Sequence, residues 1–182
     1  MVIETARLVL RPYVAADAAA VTDIFADAGT CRYLLNDAWT AADAAENVKK
    51  KLNANALEPG GSLCLACTHA GTVIGDVSVW YTEMRETVEI GYVFHRAHTG
   101  RGFAAEAVAA VIAYLFETVN VHRIQANLDA RNTASARLLE RVGMRREAAF
   151  MQDYWSKGEW TDSFVYGMIL DDYKTHRAAA EA

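Results

Sequence analysis

Along "RLVLRPY", Arg7 to Tyr13, apolar side chains alternate with arginines, the two-residue period of a strand with one face turned inward. The period then lengthens. From Asp17 to Ala28, Ala20, Val21, Ile24 and Phe25 share one side of a helix. "CRYLLNDAW" shows neither period and reads as a loop or short helical turn. Thr40, followed three residues on by Asp43, is a weak form of the capping box and opens a second helix. That helix is expected to run to about Leu57 and to stop at "EPGG".

Two strand patterns, "SLCLACT" and "TVIGDVSVWYT", flank "HAG" and predict a hairpin. "TVEIGYVFH", Thr87 to His95, is a further strand with Gly91 in its interior, where a glycine marks a bulge or a close approach. Apolar residues at 104, 107, 108, 111, 112, 115, 116 and 119 then draw one unbroken helical stripe. "RIQANLD" is a strand, and "NTASARLLERVGM" a short helix capped by Asn132 or Thr133 and stopped at Gly143. The remainder predicts two strands around a turn at Lys157-Gly158, closed by an alanine-rich helix. This order gives a mixed α/β fold, read as a single domain over 1–182.

Composition adds limits. With 182 residues, 53% of them hydrophobic, and only two prolines, the chain can bury a sizeable core. No apolar run approaches the roughly 20 residues of a membrane span. "MVIETARLVLRPY" carries Glu4, Arg7 and Arg11 and fits neither a signal nor a transit peptide, so the expected compartment is the cytoplasm. A net charge of −5 argues against a general nucleic-acid binder, and no membrane partner is expected. Cys64 and Cys67 have the spacing of a redox or zinc pair. Three apart on a strand they face opposite ways, so no metal is expected there.

Against the acidic whole, "HRAHTGR", His95 to Arg101, is locally basic. It joins a strand to a helix whose first turn offers unpaired N–H groups and a positive dipole end. Gly100 and Gly102 let that backbone approach an anion, with Arg101 adding charge, and a pyrophosphate is the natural guest. A Walker loop is absent. Gly100, Gly102 and Ala105 satisfy the loose dinucleotide fingerprint, yet a basic run precedes the first glycine and the acid of the next strand, Asp129, comes late. Taken alone, the loop is open to two readings: an anion site, or glycines that only permit a turn.

Several segments together resolve the choice. "VEIGYVFHRAHTGRGFAAEAV" and "HRIQANLDARNTASARLLERVGMRREA" resemble the core of the GNAT superfamily of acyl-CoA-dependent N-acetyltransferases. More narrowly they are similar to the branch of bacterial ribosomal-protein N-terminal acetyltransferases. "ETARLVLRPYVAADA" and "GEWTDSFVYGMIL" extend the likeness to nearly the whole chain. The resemblance implies a largely antiparallel sheet, split by a V-shaped opening, with helices on both faces. It implies acetyl-CoA as cosubstrate, its pyrophosphate at Thr99, Gly100, Arg101, Gly102, Phe103, Ala104 and Ala105. Its pantetheine arm would run along Val93 and Phe94, with Asn132 bonding near the thioester. The partner it implies is an amine-bearing acceptor, a peptide N-terminus or a small molecule; members of the family are often homodimers. Thr99 stands where the family signature begins with Gln or Arg.

Acyl transfer to an amine needs a proton acceptor, a polarised carbonyl and a stabilised leaving thiolate. Glu89 is the candidate base, and its alternative reading is a sheet-surface glutamate paired with an arginine. Along the strand Glu89, Gly91 and Val93 share one side, and Ile90, Tyr92 and Phe94 the other, unless a bulge shifts the phase. Such a bulge, around Gly91 to Val93, could expose a polarising backbone N–H. Where many family members carry a tyrosine, this chain has Leu139, and Ser135 is the nearest thiol-orienting donor. Asn132 can equally be only a helix cap, and Ser135 only a small packed residue. Trp80, Tyr81, Glu83, Tyr154, Trp155, Glu159 and Trp160 are candidates for an acceptor site. The leading function is N-acetyl transfer to a primary amine; a noncatalytic acyl-CoA-binding module is the alternative, and a dinucleotide oxidoreductase a distant third.

Overall fold

The computed structural model describes residues 1–181. The chain runs β1 (Ile3–Glu4), β2 (Val9–Pro12), α1 (Ala18–Ala26), α2 (Ala41–Asn53), β3 (Ser62–His69), β4 (Thr72–Tyr81) and β5 (Thr87–Phe94). It continues with α3 (Phe103–Tyr114), β6 (Arg123–Asp129), α4 (Thr133–Arg141), β7 (Arg145–Ser156), β8 (Glu159–Ile169) and α5 (Leu170–Glu181). Eight strands form one mixed sheet in the order β1-β2-β3-β4-β5-β6-β8-β7.

Local chemistry accounts for the turns. The β3–β4 hairpin closes through Ala70 and Gly71, at φ 49° and 81°, and the β7–β8 hairpin through Lys157 and Gly158, at φ 52° and 84°. Two left-handed residues in a row match the twist of the flanking strands, which is why each tip carries a glycine. Thr40 and Asp43 form the reciprocal capping box on α2. That helix ends at Asn53, short of the Leu57 expected from the pattern. The long apolar stripe also runs differently: α3 stops at Tyr114, and Leu115–Val119 continue as a wider π turn ended by left-handed Asn120. Leu115 and Phe116 remain buried throughout, because the stripe specifies burial and not hydrogen-bond spacing.

One junction breaks the antiparallel order. β5 and β6 are parallel, joined over the sheet by α3, and pair only at Thr87–Arg123, Val88–Ile124 and Glu89–Gln125. On its other edge β5 stays in register with β4 from Val88 to Phe94. Past Glu89, β5 and β6 therefore part, and the β6-facing edge of Ile90–Phe94 has no strand partner among the described residues.

Two apolar cores cover the two faces. Leu65, Cys67, Val77, Val79 and Ile90 pack with α3 and with Leu139 of α4 on one side. Cys64 and Ala66 pack with Val21, Ile24 and Phe25 of α1 on the other, with Val93 against them. Cys64 and Cys67 thus lie on opposite faces, as strand alternation requires. Among the described residues no group of His, Cys, Asp or Glu is placed to hold a metal ion. Among them, too, no helix is long and apolar enough to cross a membrane.

Candidate active site

A cleft of about 600 Å³ opens where β5 and β6 part. Because the sheet itself is split, the cleft is lined from both faces. Asp76, Ser78 and Trp80 of β4 and Glu89, Gly91 and Val93 of β5 border it on the α1/α2 side; Tyr92, Asn132, Ser135 and Leu139 border it on the α3/α4 side. Residues 32–36, between α1 and α2, and the β7–β8 hairpin form its rim. They are tied together: Lys157 at the hairpin tip donates to the carbonyl of Cys31 at 2.6 Å.

Glu89 is half-buried, and its Oε2 accepts a hydrogen bond from Gln125 Nε2 at 2.9 Å. No arginine pairs with it among the described residues, so the surface ion-pair reading fails. Gln125 is the β6 residue directly opposite, at the last rung before the strands separate. Gln125 is a neutral amide, so it orients the carboxylate by a hydrogen bond and not by an ion pair.

Of the two readings left open at Gly91, the bulge is absent. Gly91 pairs in register with Ser78, and a Cβ there would lie 3.4 Å from the Trp80 ring. That is ordinary van der Waals contact, so the indole lies over the glycine without requiring it. Backbone groups reach the cleft for another reason: the edge of β5 beyond Glu89 is unpaired, so alternate N–H and C=O groups of Ile90–Phe94 point into the gap. An extended ligand with amide groups can complete that edge as a strand would.

On the opposite wall, Asn132 caps α4, its Oδ1 accepting from Ser135 N–H at 3.1 Å. The cap reading is therefore realised. It leaves the Asn132 amide nitrogen without a partner among the described residues, beside the cleft. Ser135 Oγ lies 2.5 Å from the hydroxyl of Tyr92, a residue that sequence reasoning passed over. Burial pushes the Tyr92 phenol up to about 12, against the opposing effect of the Ser135 hydrogen bond. Leu139 is fully buried core.

The glycine loop lies beyond the C-terminal end of β5 and is not part of the cleft wall. Gly100 and Gly102 are both left-handed, at φ 74° and 80°, and nothing lies within 4 Å of where a Gly100 Cβ would be. No side chain caps α3, so its first-turn N–H groups stand open. Glu106, the acid in that turn, is taken up by Thr5 and Arg7, the latter through a salt bridge at 2.6 Å. Arg7 also donates to the carbonyl of Arg101 at 2.9 Å, which fixes the loop from the first strands. Burial, then His95 and Arg101, hold the His98 imidazole below its usual pKa.

The other candidates divide. Phe94 and Phe103 are core side chains, so only their backbones are available to a ligand; Arg101 lies over the Phe103 ring. Thr99 is exposed, and Ala104 and Ala105 half-buried, at the start of α3. Trp80, Tyr154 and Glu159 line the cleft, whereas Trp155 and Trp160 form an exposed cross-strand pair outside it. Glu83 is exposed in the turn after β4, and Tyr81 packs on the core. Sequence reasoning also missed Asp76, nearly fully buried at the cleft edge. Lys51 is salt-bridged to it, and Tyr13 donates to it at 3.1 Å. The signal was present as an isolated acid in a strand interior.

The site is thus a sheet parted at one parallel junction, with a carboxylate on one side of the gap, a hydroxyl on the other and an open helix start beyond. The sequence profile described as the acetyltransferase (GNAT) domain matches residues 7–145, and the chain belongs to the GNAT family. It is 30% identical over 173 residues to the uncharacterized N-acetyltransferase YnaD of Bacillus subtilis, covering 95% of this chain and 99% of that one. A crystal structure of a GNAT-family acetyltransferase from Bacillus anthracis superposes with a TM-score of 0.84 at 28% identity, covering 93% of this chain and 98% of that one. The [ribosomal protein uS5]-alanine N-acetyltransferase of Escherichia coli is 33% identical over 89 residues, 48% of this chain and 45% of that protein.

Proposed function

We propose that this GNAT acetyltransferase moves the acetyl group of acetyl-CoA directly to a primary amine, either a peptide N-terminus or a small molecule. The observation that carries the reading is that Glu89 and Ser135 stand on opposite faces of the sheet yet line one cleft, through the gap between β5 and β6. The residues present fit the cosubstrate. The open first turn of α3 with Gly100, Arg101 and Gly102 suits its pyrophosphate. The unpaired edge from Ile90 through Val93 to the Phe94 backbone suits its amide-bearing arm. Acetyl-CoA supplies the activated acyl group and a thiolate leaving group.

The amine enters from the α1/α2 side. An α-amine with a reference pKa of about 7.7–8.0 is largely protonated at neutral pH and must lose a proton to react. Glu89 receives that proton, directly or through one water, while Gln125 keeps its carboxylate oriented. Backbone N–H groups at the open β5 edge polarise the acyl carbonyl. Ser135 donates a hydrogen bond toward the departing sulfur.

Calorimetric titration with CoA, acetyl-CoA and NADH tests the ligand class; micromolar-range binding of the first two alone is expected. A transfer screen over N-terminal peptides, amino sugars, polyamines and amino acids, read by release of free thiol, tests the reaction. Binding of CoA without turnover on any amine would leave a noncatalytic acyl-CoA module.

A further inference from the structure

Resting on the acetyl-CoA reading, we propose that Tyr92 is the positioning residue for the sulfur: its hydroxyl donates to Ser135 Oγ and so turns the serine hydrogen into the cleft. The argument begins with the two acceptors in reach of that phenol. Ser135 Oγ lies at 2.5 Å and the Ser135 carbonyl oxygen at 3.3 Å. Ser135 is in the first turn of α4, where its carbonyl already accepts the N–H four residues on within the helix. The short contact is therefore the phenol's principal bond. A serine hydroxyl has a single hydrogen. If the phenol donates, that hydrogen must go elsewhere, and the cleft borders Ser135.

Without the phenol, a serine in a helix's first turn is free to turn its hydrogen back to the carbonyl three residues before it, here that of the cap residue Asn132. Tyr92 removes this choice. Donation from the phenol also polarises the serine O–H and makes it a better donor to an anion. The backbone is fixed independently, because Ser135 N–H is bonded to Asn132 Oδ1 at 3.1 Å. One wall of the cleft thus holds both the position of Ser135 and the direction of its proton. The C–S electron pair leaves with sulfur, which receives a hydrogen bond and no proton; the ammonium proton goes to Glu89 and on to water before attack, and the proton that nitrogen sheds after attack leaves by the same route.

The high phenol pKa, about 12, keeps Tyr92 a donor through pH 9. Tyr166 of β8, bonded to Glu140 of α4 at 3.0 Å, lies near the pair. The ionisable groups that share the cleft with it are Glu89, Asp76 with Lys51, Asp129 with Arg131, Asp153, Glu159, Lys157, Arg32, Tyr33 and Tyr154. The substitutions below leave all of these in place, so their contributions cancel in the comparison.

The test needs no acceptor. CoA and desulfo-CoA, which differ only at the sulfur, are titrated at pH 7 and pH 9 into the wild type, Tyr92→Phe, Ser135→Ala and the double variant. A free thiol ionises near pH 8.5. A donor aimed at the thiolate lowers that value in the bound state, so CoA must gain on desulfo-CoA as pH rises. We expect a gain of about tenfold in the wild type, the worth of one hydrogen bond to a charged group. In Tyr92→Phe it should fall below about threefold on the same scale, and in Ser135→Ala it should vanish, with the double variant matching Ser135→Ala. Unchanged desulfo-CoA affinity shows that each variant is folded, a result a merely structural tyrosine would not combine with loss of the sulfur-specific gain. A full gain retained in Tyr92→Phe or in Ser135→Ala overturns the proposal, as does a wild type with no gain. Failure of the wild type to bind desulfo-CoA at all overturns instead the reading on which the proposal rests.

Discussion

Asn132 holds two jobs that one pair of substitutions can separate. Its Oδ1 caps α4 through Ser135 N–H, while its amide nitrogen faces the cleft without a partner among the described residues. Asn132→Ala removes both functions. Asn132→Ser keeps the cap, since serine and asparagine cap about equally well, and removes only the amide donor. Losing the cap costs about 1 kcal/mol. In a chain of this size that lowers the melting temperature by about 2–4 °C. Losing one neutral hydrogen bond to the ligand costs about 0.5–1.5 kcal/mol, or roughly 2- to 13-fold in affinity. Asn132→Ala should therefore show both losses. Asn132→Ser should melt within about 1 °C of the wild type yet bind acetyl-CoA more weakly by that factor. Thermal melts followed by circular dichroism and calorimetric titration with acetyl-CoA measure the two quantities separately. Wild-type acetyl-CoA affinity in Asn132→Ser would refute the ligand contact and leave Asn132 a cap alone.

Glu89→Gln keeps the side chain's size and a hydrogen bond to Gln125 while removing the basic oxygen. Turnover with the true acceptor, measured below saturation, should fall by about 10²–10⁴-fold with CoA affinity unchanged, and a rate near wild type would direct the proton elsewhere. Gly102→Val places a branched side chain at φ 80° against Arg7, 3.3 Å from the new Cβ. It should weaken CoA binding and cost at least about 1–2 kcal/mol of stability, and a folded variant with full affinity would remove the loop from the site. Lys51→Met leaves Asp76 nearly fully buried with, among the described residues, only the Tyr13 hydroxyl as hydrogen-bond partner. The melting temperature should drop by about 6–12 °C, from roughly 3 kcal/mol lost on breaking a buried pair; a shift under 2 °C would show that the pair carries no such weight.

Contiguous residues determined what depends on contiguous residues. The period-two runs, the Thr40–Asp43 box, the Asn132 cap and the Lys157-Gly158 turn are all local and appear where the pattern placed them, and the α3 stripe is buried as drawn although its last residues wind as a π turn. The glycine-rich helix start was legible for the same reason, since a left-handed backbone and an open first turn are properties of a few adjacent residues. Four segments in the right order were enough to place the chain among the GNAT acetyltransferases.

What the pattern could not supply was the side of the sheet and the partner of each side chain. Gly91 read equally as a bulge or a close approach; the β4 register excluded the bulge and set the Trp80 ring over it. Glu89 could have met an arginine; the register of β6 gave it Gln125 instead. Tyr92 passed as an ordinary strand residue until α4 brought Ser135 to its hydroxyl, 43 positions along the chain. These pairings depend on where β5 stops pairing with β6. A parallel junction is closed by a helix crossing the sheet, so its length is set by packing on both faces and not by the residues of either strand.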